Sequence, residues 1–113
     1  MKITNADGAV VAERVESARG FLSRLIGLMG RRSLAKNSGL LMHGCCQVHT
    51  FFMRFPIDII YADRELRVLR VDVNVPPWHI LPRCNGASYV IELPAGAGSV
   101  SIGDKLRLED ACA

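Results

Sequence analysis

Turn-forming residues recur about every 8–12 positions along this chain, a spacing that leaves room for short strands and for little helix. Asp7-Gly8 and Gly30 and then, more densely, Gly44, Pro56, Asp63-Arg64-Glu65, Pro76-Pro77, Pro82, Gly86, Pro94–Gly98 and Gly103-Asp104 supply the punctuation. Between them lie apolar runs whose side chains alternate. Leu66–Val75 alternates most cleanly, with Leu69, Val71, Val73 and Val75 on one side and Arg70, Asp72 and Asn74 on the other. Successive strand residues point to opposite faces, so this run is expected to put one face on a core and one in water.

Lys2–Thr4 and Val10–Val15 read as a hairpin around Asp7-Gly8, because glycine supplies the positive φ of a tight turn. Leu40–His43, Val48–Met53, Ile57–Ala62, Ser88–Leu93, Val100–Ile102 and Lys105–Glu109 read as further extended segments. Ile57–Ala62 is apolar on both faces and is expected at the centre of a sheet. In Ser88–Leu93, alternation sends Tyr89, Ile91 and Leu93 inward and leaves Val90 and Glu92 outside.

One segment has helical spacing instead. Ala18, Phe21, Leu22, Leu25, Ile26 and Met29 predict a helix over about 18–29, with Ser17 as N-cap and Gly30 past its end. Arg31–Gly39 and Trp78–Ala87 read as loops, with Trp78 half-buried over the core; Pro94–Gly98 reads as a turn and the last four residues as frayed. Because one helix cannot separate so many strands, most pairings must be antiparallel. The expected architecture is mainly β (α+β): a compact antiparallel β barrel or strongly curved sheet, with the helix over one open side.

A chain of 113 residues is expected to form a single domain, 1–113. Its 14 basic and 11 acidic residues leave a charge of +3, too mild and too scattered for a nucleic-acid surface. No run approaches the roughly 18 apolar residues of a membrane span. The N-terminus lacks the apolar stretch of a signal peptide, so a cytoplasmic location is expected. Cys45, Cys46, Cys84 and Cys112 are then expected as free thiols.

Reactive side chains gather in His43–Asp58, which holds two histidines, two thiols, a thioether and a carboxylate. Cys45 or Cys46 as nucleophile, His49 as base and Asp58 as its orienting group would make a thiol enzyme. His43, Cys45, His49 and His79 could instead converge on a metal, although no second Cys-x-x-Cys pair completes a zinc set. The plainer alternative makes both cysteines small buried side chains. Aspartate is depleted in strands, so Asp58 between Ile57 and Ile59 needs hydrogen-bond partners if it points inward. Arg31 follows the helix, either solvated near its C-terminal dipole or holding an anionic ligand.

Gly27-Leu28-Met29-Gly30-Arg31, then Val48–Asp58, then Val90–Gly96 and finally Gly103-Asp104 resemble a bacterial and archaeal family known as domain of unknown function one-ninety-two. The resemblance runs from about Val10 to Leu108. It implies the compact antiparallel β architecture with one helix, and no particular reaction. By motif position it implies that Arg31, Cys45, His49, Thr50, Met53, Asp58 and Glu92 are the shared polar or soft residues. Many members carry a Trp and an Asn near the central motif, where Phe52 and Phe55 stand here, and the segment after Gly96 is short. Together these readings describe a small binding module with a pocket at His49–Asp58, whose partner is a small molecule, peptide or protein. They call for no cofactor, assign no metal ligand, and leave a thiol- or metal-dependent enzyme using Cys45, His49 and Asp58 as the alternative.

Overall fold

A computed structural model describes residues 1–97 and 100–109; Gly98, expected in a turn, Cys112, expected as a free thiol, and the last four residues, expected to fray, lie outside them. Eight strands are formed among these residues: β1 Lys2–Asn5, β2 Val10–Ala12, β3 Arg14–Ala18, β4 Ser38–His43, β5 Ile57–Ala62, β6 Val68–Val75, β7 Tyr89–Pro94 and β8 Leu106–Glu109. One short helix, α1 Phe21–Ile26, lies between β3 and β4. The chain is therefore mainly β, as its turn spacing predicts.

The strands form two sheets, ordered β2-β1-β8 and β3-β4-β7-β5-β6, so the barrel is not formed. Among the described residues no ladder joins the edge strands of one sheet to those of the other, which meet only locally, as at the isolated Arg67–Lys105 bridge; the chain crosses between the sheets at a bend, Glu13. The larger sheet is also not purely antiparallel. β3 pairs with β4 in parallel, from Arg14 opposite Ser38 to Ala18 opposite Met42. A parallel pair needs a crossover, and residues 19–37 supply it.

The five-stranded sheet is the middle layer. Ile3, Ala12, Leu41, Ile60, Val68, Ile91, Leu93 and Leu106 fill the core between it and the small sheet. Leu28, Leu40, Met42, Val48, Met53, Ile57, Ile59, Tyr61 and Val90 fill a second core on its other face, beneath loops. A strand buried on both faces loses the apolar-in, polar-out distinction. That is why Glu92, expected outside, is only 1% exposed. The expected central place of β5 is where the structure puts it, between β7 and β6 and buried throughout.

The helix expected over 18–29 is not formed over that span. Ser17 and Ala18 belong to β3, and helical structure begins after Gly20, whose N–H donates to Ser23 Oγ at 3.1 Å. It ends at Gly27, where φ is +48°. Val48–Met53 and Val100–Ile102 are not strands either. The first forms an irregular ribbon with the Trp78–Cys84 loop, in which Thr50, Leu81 and Cys84 N–H groups donate to the carbonyls of His79, Val48 and Cys46. Only His49 and Ile80 make a formal bridge there.

The alternation of β6 also slips. Ile57 faces Val75 but Ile59 faces Asp72, so one residue of β5 opposes two of β6. This bulge turns Val73 out to 66% exposure and holds Asn74 at φ +50°.

Gly39 on β4 shows how tightly the middle sheet is packed. A Cβ there would lie 2.8 Å from Leu93 Cδ2 and 3.1 Å from the Glu92 backbone oxygen. The side chain could yield, but the backbone oxygen moves only with its ladder. Gly39→Ala is therefore expected to cost about 1–3 kcal/mol in urea denaturation. An unchanged midpoint would show that β4 and β7 can part without strain.

Candidate functional site

A cavity of about 210 Å³ opens on the loop-covered face of the middle sheet. Arg24, Leu28 and Met29 line it from α1 and the turn that follows, Met42 from β4, Cys45, His49 and Met53 from the ribbon, and Glu92 from β7. The Gly30 N–H donates to the Phe52 carbonyl at 3.0 Å and ties the turn to the ribbon along one wall. Apart from Met1, every methionine of the chain lines this cavity.

Glu92 sits opposite Leu40 on β4 and Ile59 on β5, so its own sheet surrounds the carboxyl with apolar side chains. Its Oε1 is buried and has no hydrogen-bond partner. Burial pushes its pKa up to about 8, against a smaller opposing pull from the Arg31 charge. Near neutral pH the group is mostly a neutral acid that can donate a proton in a hydrogen bond.

The side chains around it have fixed roles. His49 Nδ1 accepts the Phe51 N–H at 3.1 Å, which leaves the neutral imidazole with its proton on Nε2. Arg24 Nη1 donates to the carbonyls of Arg19 and His43. Cys45 Sγ donates to the Gln47 carbonyl at 3.2 Å. Burial raises the pKa of this thiol, outweighing the Gln47 bond and the Arg24 charge. Cys45 is thus expected to react with a disulfide reagent at pH 7 more slowly than a free small-molecule thiol, speeding up on denaturation. Fast reaction of the Cys45 thiol in the folded protein would contradict this.

Of the seven residues implied from the sequence, Cys45, His49, Met53 and Glu92 meet at the cavity. Arg31, Thr50 and Asp58 do not line it. Asp58 falls on the opposite face of the sheet from its neighbours Ile57 and Ile59. There its Oδ1 and Oδ2 accept the N–H groups of Asn74 at 2.8 Å and Gly96 at 3.0 Å. It cannot orient His49, so the Cys45–His49–Asp58 relay is not assembled. Thr50 is fully buried and holds the ribbon together, donating to the Pro76 carbonyl and accepting the His79 N–H. Arg31 pairs with Glu16 at 2.8 Å beside a separate groove. Among the described residues no three His, Cys, Asp or Glu side chains group as metal ligands. Trp78, expected half-buried, is 60% exposed and packs on Phe52 with ring centroids 4.8 Å apart.

The sequence reading missed Arg24, Met29 and Met42 as lining residues. For the methionines, apolar character alone made them core.

Residues 2–108 match the family DUF192, described as uncharacterized ACR. The chain belongs to that family. Its DUF192 fold is shared by a crystal structure of a protein of unknown function from Novosphingobium aromaticivorans, with TM-score 0.81 and 25% identity over 95% of this chain and 82% of that one. A candidate transcription regulator from Sinorhizobium meliloti matches with TM-score 0.80 and 26% identity, covering 94% of this chain and 89% of that one. The UPF0127 protein of Pyrococcus abyssi is 34% identical over 100 residues, covering 83% of this chain and 85% of that one. No helix among the described residues is long and apolar enough to cross a membrane.

Proposed function

We propose that this DUF192 chain is a single-domain binding module whose cavity at Cys45, His49, Met53 and Glu92 takes a small molecule. The observation that carries this reading is the Glu92 carboxyl, buried at the cavity floor with one oxygen unpartnered. Leaving a buried polar group unmatched costs on the order of 1–3 kcal/mol, and a bound molecule could supply the match. The walls fit the role, being mostly apolar with a few polar groups. A cytoplasmic location is proposed with this reading.

Nucleic-acid regulation, suggested by the Sinorhizobium protein's description, finds less support here. The three ion pairs among the described residues, Lys2–Glu109, Arg31–Glu16 and Arg70–Asp72, set cations beside acids rather than in one stripe.

Methyl-labelled methionine spectra test the proposal. Met29, Met42 and Met53 signals are expected to shift together when a fragment library of small acids, amines and alcohols is titrated, while Met1 stays put. If no fragment moves the three at millimolar concentration, the cavity is structural and the proposal fails.

A further inference from the structure

The chemistry of the occupant can be read from the polar groups that face the cavity. Among the described residues Arg24 is the only permanently charged side chain on its wall. With Nη1 held by the Arg19 and His43 carbonyls, its Nη2 makes no hydrogen bond among the described residues. His49 offers Nε2–H, because Nδ1 is occupied by the Phe51 N–H. Gln47 turns its amide nitrogen away to the Leu81 carbonyl at 2.9 Å, and the Cys45 thiol is spent on the Gln47 carbonyl. Among the described residues Glu92 is the sole acidic side chain lining the cavity, nearly fully buried and unpartnered at Oε1.

We infer that the cavity selects a small carboxylate with a short branched apolar tail, its oxygens meeting Arg24, His49 and Glu92 and its tail lying among Met29, Met42 and Met53. This rests on the reading of the cavity as a ligand site. A cationic ligand would face the Arg24 charge, with that of Arg31 close enough to act on Glu92. Because burial raises the Glu92 pKa, the group donates to a ligand oxygen rather than repelling it near neutral pH. Size narrows the class further. A cavity of about 150 Å³ accommodates benzene, so this one admits roughly eight non-hydrogen atoms. Methionine walls suit apolar tails of irregular shape, branched ones included, since their flexible side chains repack around them.

The probe is 4-methylpentanoate, with 4-methylpentylamine and 4-methylpentan-1-ol as matched controls, followed by calorimetry and methionine-methyl spectra on the full chain. The acid is expected to shift the Met29, Met42 and Met53 signals and to bind about tenfold more tightly than either control. Arg24→Met should lose about tenfold for the acid and nothing for the alcohol. Glu92→Gln keeps a donor and should bind the acid as the native chain does at pH 7.

Arg24 from α1 and Cys45 and His49 share the cavity wall with Glu92, Cys45 close enough to feel its charge, and Arg31 beyond the turn is the cation that acts on it. β4 and β5 present Leu40, Met42 and Ile59, none of which titrates. The native chain is expected to lose acid affinity between pH 7 and 9 as Glu92 ionises, and Glu92→Gln to lose less. Tighter binding of the amine, or an unchanged Arg24→Met, overturns the carboxylate assignment while the pocket stands. So does silver(I) shifting the three methyls when the acid does not. Silence of all probes at those methyls overturns both readings.

Discussion

Glu92→Gln is expected to stabilise the folded chain increasingly as pH rises from about 4.5 to about 8. The folded-state pKa of Glu92 is raised from 4.5 to about 8 by burial. Below the lower value both folded and unfolded chains carry the proton, and the group does not affect the balance. Between the two values the unfolded chain has released it and the folded chain keeps it. Stability then falls by about 1.4 kcal/mol per pH unit, and above pH 8 the penalty is complete. The native and Glu92→Gln chains should therefore agree near pH 4.5 and differ by roughly 4 kcal/mol at pH 8 in urea melts. His43, whose pKa burial lowers, acts in the opposite direction at lower pH but is common to both chains and cancels in the difference. Parallel curves for the two proteins would show that Glu92 is solvated or paired after all.

Asp58→Ala should behave in the opposite sense, with a loss of about 3 kcal/mol at neutral pH. Asp58 is 2% exposed, close to Glu92, yet both its oxygens are matched. One holds the N–H of Asn74 at the β6 bulge, and the other holds Gly96 in the turn after β7. Alanine would leave two backbone donors without their acceptor and loosen both the bulge and the turn. Asp58→Asn, which keeps one acceptor oxygen, should lose less. A loss below about 1 kcal/mol for Asp58→Ala would mean that water or rearranged backbone replaces the carboxylate.

These two carboxyls also mark how far the sequence could be read. An acidic residue between β-branched or apolar neighbours signals a polar group that needs partners if buried, and Ile57-Asp58-Ile59 follows that rule, with Asp58 buried and both oxygens bonded. The same signal stands at Ile91-Glu92-Leu93 and was overridden by alternation, which assumes one wet face. Only the tertiary layering, with a small sheet on one side and loops on the other, removes that face. The helix was misjudged for a related reason. Ala18 has helical spacing with Phe21 and Leu22, but the parallel ladder to β4 claims residues up to Ala18, and Gly20 and Gly27 bound what is left. The barrel is not formed because, among the described residues, no ladder closes the edges of the two sheets, and strand alternation does not announce which edges will pair. The site was half legible: Cys45, His49 and Met53 come from one contiguous ribbon, whereas Arg24, Met29 and Met42 reach it only through the crossover.

That crossover sets the cavity's accessibility apart from the sheet's integrity. Residues 19–37 carry Arg24, Leu28 and Met29, and among the described residues their backbone reaches the rest of the chain through few bonds: Gly30 to Phe52, and Asn37 to Glu13 and Arg14. Opening that flank parts the Gly30–Phe52 bond, the Arg24–His43 bond and the packing of Leu28, but unzips no ladder. Were the proposed ligand bound, its exchange would need only such a local opening, whose free energy can lie well below that of unfolding, so residence time and thermal resistance could evolve independently.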